Sequence, residues 1–394
     1  MSEIYLVDAV RTPFGRAGSK GVYANTRADD LAATAIAGVM ERNKQVPPER
    51  IDDVAIAATN QHGDQGLTLG RTAAILAGLP VTVPGLAIDR MCSGAMTSVA
   101  LMAGQIGHDM VDLALAGGVE HMGHHPVRFD DLNPRFAADG LIDEDAFNMG
   151  VTAENLHDLL PRLTRERADR YAVHSQRKAQ AAYQAGRLQP DLIPVPVTAP
   201  DGAADLVTED QGRRPETTLA GLAGLKTPFR PNGRVTAGTS SPLTDGATIG
   251  LLAGADAVDE FALTPKMRLV SWAFTGVRPE IMGTGPIPST EKALRKAGLS
   301  IDDIGLFELN EAFAVQVLAL LDHFGIDDDD PRVNQWGGAL AVGHPLAASG
   351  VRLMIQLAAQ FALRPDVRYG LTAMCVGLGQ GGSMIWENPY YVKI

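Results

Sequence analysis

The chain has 394 residues, 45% apolar and 20% charged, a globular balance that predicts two or three domains rather than disorder. Its net charge of −12 argues against a nucleic-acid binder, because neutralising phosphates needs basic surface. It has only two cysteines, Cys92 and Cys375, so a disulfide framework and a four-cysteine zinc site are both excluded.

The first element, at residues 4–7, reads as a strand. No basic segment and apolar core of a secretory leader precede it, so cytoplasmic residence with reduced thiols is expected. Residues 30–42 form a helical pattern, and Ile51-Asp52-Asp53-Val54 leads into the strand-like Ala55-Ile56-Ala57. A β-type run, Leu86-Ala87-Ile88, precedes a small-residue helix at 92–106. Residues 113–118 read as a strand ending in two glycines. The same order then returns. A helix at 289–297 precedes Ile301-Asp302-Asp303-Ile304 and Gly305-Leu306-Phe307, a second small-residue helix covers 345–360, and a strand covers 369–376. The offset is 250 residues (51 to 301) at the first match and about 258 at the last, so the chain reads as two similar halves with a small insertion. Alternating strands and helices imply a mixed or parallel sheet covered on both faces. Between the halves, residues 119–244 contain stretches rich in Arg, Asp and Pro at 128–135 and 195–210, and one clear helix at 165–185. Irregular segments of this length are usually lids or binding loops. The acidic run 327–330 reads as a solvated turn. No apolar run reaches ~18 residues, so no integral membrane span is read.

Cys92 opens a stretch, 93–107, without one charged residue. A helix with no polar face is buried. Gly94, Ala95, Ala100, Ala103 and Gly104 would let it approach another helix closely. At its N-terminus, unpaired N–H groups and the macrodipole favour a thiolate. By itself, a lone cysteine in such a stretch is usually a small core residue. His344, in Gly343-His344-Pro345, stands before the second buried helix, close to the place of Cys92 in the first half. If both helix N-termini meet in one cleft, a neutral imidazole reaches the thiol, the arrangement that activates a nucleophilic cysteine. Cys375 lies before Gly377-Leu378-Gly379-Gln380-Gly381-Gly382. That run fits G-x-G-x-x-G by letter, but no helix and acidic partner follow it. It reads as a glycine-rich hairpin whose free N–H groups suit a developing oxyanion. Asn310, in Leu309-Asn310-Glu311-Ala312-Phe313, can orient a water or a carbonyl; alone it reads as a helix cap.

Taken together, these motifs resemble the thiolase family. Arg11-Thr12-Pro13-Phe14-Gly15, the Cys92 segment, Asn310-Glu311-Ala312-Phe313, the run 337–345 and Cys375-Val376-Gly377-Leu378-Gly379 stand in that family's order. Residues 120–126 and 214–218 look most like thiolase subunits of bacterial fatty-acid β-oxidation complexes. The resemblance implies an α/β, five-layer αβαβα fold of two similar halves. The N-terminal half would take 1–118 with 245–267, the loop domain 119–244 and the C-terminal half 268–394. It implies a homodimer or a dimer of dimers, and a hydratase/dehydrogenase subunit as a partner met by residues 121–150. It also implies acyl-CoA and CoA as substrates, with no permanently bound cofactor and no metal. By the same resemblance Cys92 is the acyl-accepting nucleophile and His344 its base, lining one oxyanion site with a water held by Asn310. Cys375 is the second acid/base, the N–H groups of Cys92 and Gly377 form the other oxyanion hole, and Ser241 contacts the pantetheine arm. The implied reaction is thiolysis of 3-ketoacyl-CoA. An acetoacetyl-CoA-forming acetyltransferase, a non-catalytic acyl-CoA-binding scaffold and regulation through a Cys92–Cys375 disulfide stand as alternatives.

Two positions depart from the family pattern. Asp89 stands where Asn is usual and would oppose a thiolate unless it points away or pairs with Arg90 or another base. Ala347 stands where Gly is usual, and its methyl either narrows the cleft or is absorbed in packing. His121, His124 and His125 form H-x-x-H-H, for which a metal reading has no supporting cysteine or helical register.

Overall fold

The computed structural model describes residues 2–127, 132–198 and 202–393. Within residues 121–150, positions 128–131 lie outside the described part, as do 199–201 in the 195–210 stretch.

One mixed sheet runs through the molecule. On the first half, Leu86–Ile88 pairs parallel with Asp53–Ala57, which pairs parallel with Leu113–His121. Antiparallel pairings continue to Thr244–Gly254 and then to Ile4–Arg11. On the second half, Ile304–Leu309 pairs parallel with Tyr369–Val376, followed by antiparallel pairings to Gln380–Glu387 and Met267–Gly276. From Asp53–Ala57 inwards, one parallel and two antiparallel pairings repeat the order of the second half, to which the first half adds the parallel edge strand Leu86–Ile88; the matched motifs at 51–57 and 301–307 fall on equivalent strands. The halves join edge to edge where Tyr5 and Leu6 pair with Arg268 and Met267. Among the described residues, the segment between His121 and Thr244 adds no strand to this sheet. Its own strands, Val195–Thr198 and Ala204–Val207, form a separate hairpin.

Three apolar cores separate the layers. The first packs the helix Ala28–Arg42 on the outer face of the first half-sheet through Leu31, Ile36 and Val39. The second covers the outer face of the other half-sheet with Ala314–Phe324 and parts of Met149–Leu159 and Arg165–Gln184. The third lies between the half-sheets and holds the two central helices, Gly94–Gly107 and Ser349–Leu363, packed on each other. Helix, sheet, paired helices, sheet, helix gives five layers. The stretch Leu346–Leu363 is long and apolar enough to cross a membrane, but 78% of it is buried here as a core helix.

The glycines at the central crossing follow from this packing. A Cβ on Gly94 would sit 2.6 Å from the Ala57 Cβ and 3.0 Å from the Ala347 Cβ, and one on Gly350 would sit 2.5 Å from the Met96 nitrogen. Ala347 is fully buried there, so its methyl is taken up in the helix crossing.

Candidate active site

The central helices start later than the sequence pattern implies. Cys92 lies in a single 3-10 turn, Met91–Ser93, ahead of the helix that begins at Gly94. The second central helix is likewise preceded by the turn Leu346–Ala348. The two turns pack on each other, and Met91–Ser93 also packs on the strand Tyr369–Val376. Both helix N-termini therefore meet in one place. Met91 has φ +43°, a left-handed backbone that a side-chain-bearing residue adopts rarely, immediately before Cys92.

One cleft gathers Cys92, His344, Cys375, Gly377 and Ser241. Met91, Met122, Met149, Met282, Phe229, Phe313 and Leu346 supply most of its apolar wall. Asn310 sits behind His344, its amide Nδ2 3.3 Å from the ring Nε2. Cys92 keeps 8% exposure, against 3% for His344 and 1% for Cys375, so it is the most accessible of the three.

His344 is held from several sides. Its backbone N–H donates to Thr244 Oγ1 at 3.0 Å, and its Nδ1 lies 2.5 Å from Ser349 Oγ. The preceding Gly343 has φ +109°, and a Cβ there would lie 2.7 Å from Thr244 Cγ2, so this turn requires glycine. Buried Glu120 accepts N–H bonds from Ala347 and Thr59, each at 3.2 Å, and an amide bond from Gln65 at 3.1 Å. It thereby ties the turn after His344 to the first half-sheet.

Burial decides the charge states. It pushes the Cys92 thiol up to about 12, against the N–H groups of Gly377 and Cys92 itself, which stabilise the thiolate; the Glu120 charge adds to the rise. The N–H groups at this turn favour the thiolate, but burial outweighs them. The Cys375 thiol is also raised, by burial and then by the Cys92 sulfur. His344 is lowered to about 3, by burial first and by the Arg352 guanidinium second. The resting site holds a thiol, a neutral imidazole and a second thiol.

The departures from the family pattern also resolve. Asp89 is exposed and accepts the Met91 N–H at 2.6 Å. It does not pair with Arg90, whose guanidinium lies 4.3 Å from the Phe274 ring centroid. The three histidines of 121–125 find protein partners. His121 Nε2 lies 2.9 Å from the Tyr23 carbonyl, His124 Nδ1 lies 2.9 Å from Asp64, and His125 also bonds Asp64. Among the described residues no group of three or more His, Cys, Asp or Glu is arranged to hold a metal ion. The acidic run is partly paired, Asp328 with Arg167 and Asp330 with Arg332.

Sequence reading missed Glu120, Ser349, Glu308 and Arg352, and the methionine wall of the cleft. Ser349, Arg352, Gln356 and Gln360 recur at intervals of three and four on an otherwise apolar helix, a polar stripe that the spacing itself displays.

The fold and the cleft define the class: a two-half α/β enzyme scaffold with a cysteine before a buried helix. The chain belongs to the thiolase family. Residues 4–256 match the thiolase N-terminal domain and residues 263–388 the thiolase C-terminal domain. It is 42% identical over 391 residues to the 3-ketoacyl-CoA thiolase of Idiomarina loihiensis, covering 98% of this chain and 100% of that one. It is 41% identical over 392 residues to the protein of the same name from Vibrio vulnificus, covering 99% and 100%. A 3-oxoadipyl-CoA/3-oxo-5,6-dehydrosuberyl-CoA thiolase of Escherichia coli is 41% identical over 409 residues, covering 98% and 100%.

Proposed function

We propose that the protein cleaves 3-ketoacyl-CoA with CoA, giving acetyl-CoA and a shortened acyl-CoA, in fatty-acid degradation. The observation that carries this is the convergence of Cys92, His344, Cys375 and the Gly377 N–H in one apolar cleft.

Cys92 Sγ attacks the C3 carbonyl of the substrate while its proton passes to His344 Nε2. Since neither group is ionised at rest, the transfer accompanies C–S bond formation. The developing oxyanions are met at two sites, one formed by the N–H groups of Cys92 and Gly377 and the other by the imidazolium with a water held by Asn310. Collapse restores the carbonyl and breaks C2–C3. The electron pair goes to C2 of the departing acetyl-CoA enolate, which takes a proton from the Cys375 thiol. An incoming CoA thiol then gives its proton to the Cys375 thiolate and attacks the acyl-Cys92 thioester. Cys92 leaves and recovers the proton held on His344. Two half-reactions sharing one covalent intermediate give ping-pong kinetics.

The acyl end meets methionine, phenylalanine and leucine, and His344 is the one titratable side chain of the described lining apart from the two thiols. A carboxylate buried there without a partner costs several kcal/mol. The wall therefore favours aliphatic acyl chains over the dicarboxylic chains named for the E. coli relative. A second groove shares Ser240 and Pro242 with the cleft and runs past Thr218, Leu222, Arg214 and Gln176. It suits the pantetheine and nucleotide portions of CoA, with Ser241 at the junction. This substrate reading disfavours both an acetoacetyl-CoA-forming enzyme and a non-catalytic scaffold.

Residues 119–244 supply much of the wall of both grooves, which supports treating them as a loop domain between halves 1–118 with 245–267 and 268–394. The edge strand Leu86–Ile88 packs on the helix Leu69–Leu76, and Leu67, Ile75, Leu76 and Val81 in the same stretch of chain are exposed. An open edge with apolar neighbours supports self-association as a dimer or dimer of dimers. Cytoplasmic residence, and a hydratase/dehydrogenase partner docking at 121–150, belong to the same reading.

Mass spectrometry after brief exposure to 3-ketooctanoyl-CoA without free CoA tests the mechanism. An acyl adduct on Cys92 is expected. No adduct, with turnover retained by Cys92→Ser, would overturn it.

A further inference from the structure

The second central helix carries a buried polar stripe that the reaction above does not use directly. Ser349, Arg352, Gln356 and Gln360 face one way along Ser349–Leu363, and all four are buried. Ser349 reaches His344. One turn further, Arg352 donates from its Nη2 to the Asn310 Oδ1 at 3.3 Å. The guanidinium is held in turn by Gln356 and by Glu308, whose Oε2 lies 3.7 Å from Arg352 Nη1. Glu308 is completely buried and accepts from Gln360 at 2.6 Å. Glu308 and Asn310 sit at the end of the strand Ile304–Leu309, directly below the site.

Burial pushes the Glu308 carboxyl up to about 7 against the pull of the Arg352 charge; burying such a pair is costly, and replacing it by apolar residues is often neutral or stabilising. Stability alone therefore does not account for this pair. The hydrogen bonding gives a reason. An asparagine amide can turn over and exchange its oxygen for its nitrogen. Arg352 is a donor with no acceptor capacity, so it accepts only the orientation in which Oδ1 faces the helix. Nδ2 is then turned to His344, where it lies 3.3 Å from Nε2.

We propose that Arg352, braced by Glu308 and Gln356, is a positioning residue for the thiolase reaction: it locks the Asn310 amide with its N–H groups facing the His344 side of the cleft. The inference rests on the reading of Asn310 as the holder of the water in one oxyanion site. One helix face thereby sets both halves of that site, His344 through Ser349 and Asn310 through Arg352. Arginine is required because its fork spans Asn310, Gln356 and Glu308 at once, which a lysine point charge does not.

The test is a kinetic cycle with 3-ketooctanoyl-CoA on the full-length enzyme. The variants are Asn310→Ala, Arg352→Met/Glu308→Gln and the combination of all three changes. Glu308→Gln accompanies Arg352→Met so that no unpaired charge is left in the core, and thermal unfolding checks that each variant folds. Removing one oxyanion donor lowers kcat by about 10²–10³-fold. Arg352→Met/Glu308→Gln should lose a large part of that, with KM changed less than about twofold, and should add little to Asn310→Ala. Arg352→Lys should keep the fold but recover kcat only in small part. Losses that multiply in the triple variant, or full kcat in Arg352→Met/Glu308→Gln, would overturn the positioning role while leaving the mechanism standing. Full kcat in Asn310→Ala would overturn the oxyanion-site reading of Asn310 and the inference with it.

Discussion

Gly94→Ala puts one methyl into the crossing of the two central helices. It would lie 2.6 Å from the Ala57 Cβ, 3.0 Å from the Ala347 Cβ and 3.2 Å from the Ala347 Cα. None of these atoms is the end of a flexible side chain, so backbone has to move. Overpacking of this kind costs roughly 1–3 kcal/mol, and the helix propensity of alanine returns at most ~1 kcal/mol. The net loss is about 1–2 kcal/mol. A chain this long gains on the order of 0.8 kcal/mol/K in unfolding entropy, so the melting temperature should fall by only about 1–3 °C. Activity should fall more. Gly94 is two residues from Cys92 and Ala347 three from His344, so relieving the clash moves nucleophile and base apart. A displacement near 1 Å is worth about 10²-fold in rate, and a few tenths should cost roughly tenfold in kcat. Ala347→Gly removes one of the three contacts, that with the Ala347 Cβ, and should recover part of both losses in the double variant. Calorimetry and steady-state thiolysis on the four proteins complete the cycle. Unchanged kcat in Gly94→Ala, or Ala347→Gly adding its own independent loss, would refute the argument that this crossing aligns the site.

Other outcomes follow from the charge states and the wall. With its thiol raised to about 12, Cys92 should be alkylated by iodoacetamide at a rate rising about tenfold per pH unit from 7 to 10; a plateau near pH 8.5 would contradict the buried thiol. His344, lowered to about 3, stays neutral in the native state while the unfolded chain takes up a proton below about 6.5. Its contribution to stability is therefore complete above about pH 6.5 and is lost as pH falls towards 3, so a folded His344→Asn variant should show a shallower acid destabilisation in urea titrations. Met149→Glu places a carboxylate in the apolar wall and should lower kcat/KM for C8 and longer 3-ketoacyl-CoAs by at least tenfold while sparing C4. Equal losses at all lengths would place the acyl chain elsewhere.

Much of the fold is legible because its signals are local. The motifs at 51–57 and 301–307 fall on equivalent strands, and the charge-free stretch after Cys92 is a buried helix because it offers water no polar face. The G-x-G-x-x-G run is a hairpin, with Leu378 and Gly379 at positive φ joining Tyr369–Val376 to Gln380–Glu387. The ionisation of Cys92 is not legible in the sequence for a physical reason. A helix N-terminus is a sequence-local feature that favours the thiolate, whereas desolvation depends on what packs above the sulfur, and desolvation wins. Asp89 finds its partner in the neighbouring Met91 N–H rather than in a base, and its charge still adds to the rise of the Cys92 thiol.

The sequence by itself determined the elements, the repeat and the residue types of the cleft, since each depends on neighbours within a few positions or on motifs in order. Only the tertiary structure decided three things. The half-sheets join at Tyr5 and Leu6, the two helix-leading turns meet at Gly94 and Ala347, and behind the cleft Glu120 holds Ala347, Ser349 holds His344, and Arg352 with Glu308 holds Asn310. Those contacts link residues as far apart as Glu120 and Ala347, and at such separations chain spacing carries no information about distance.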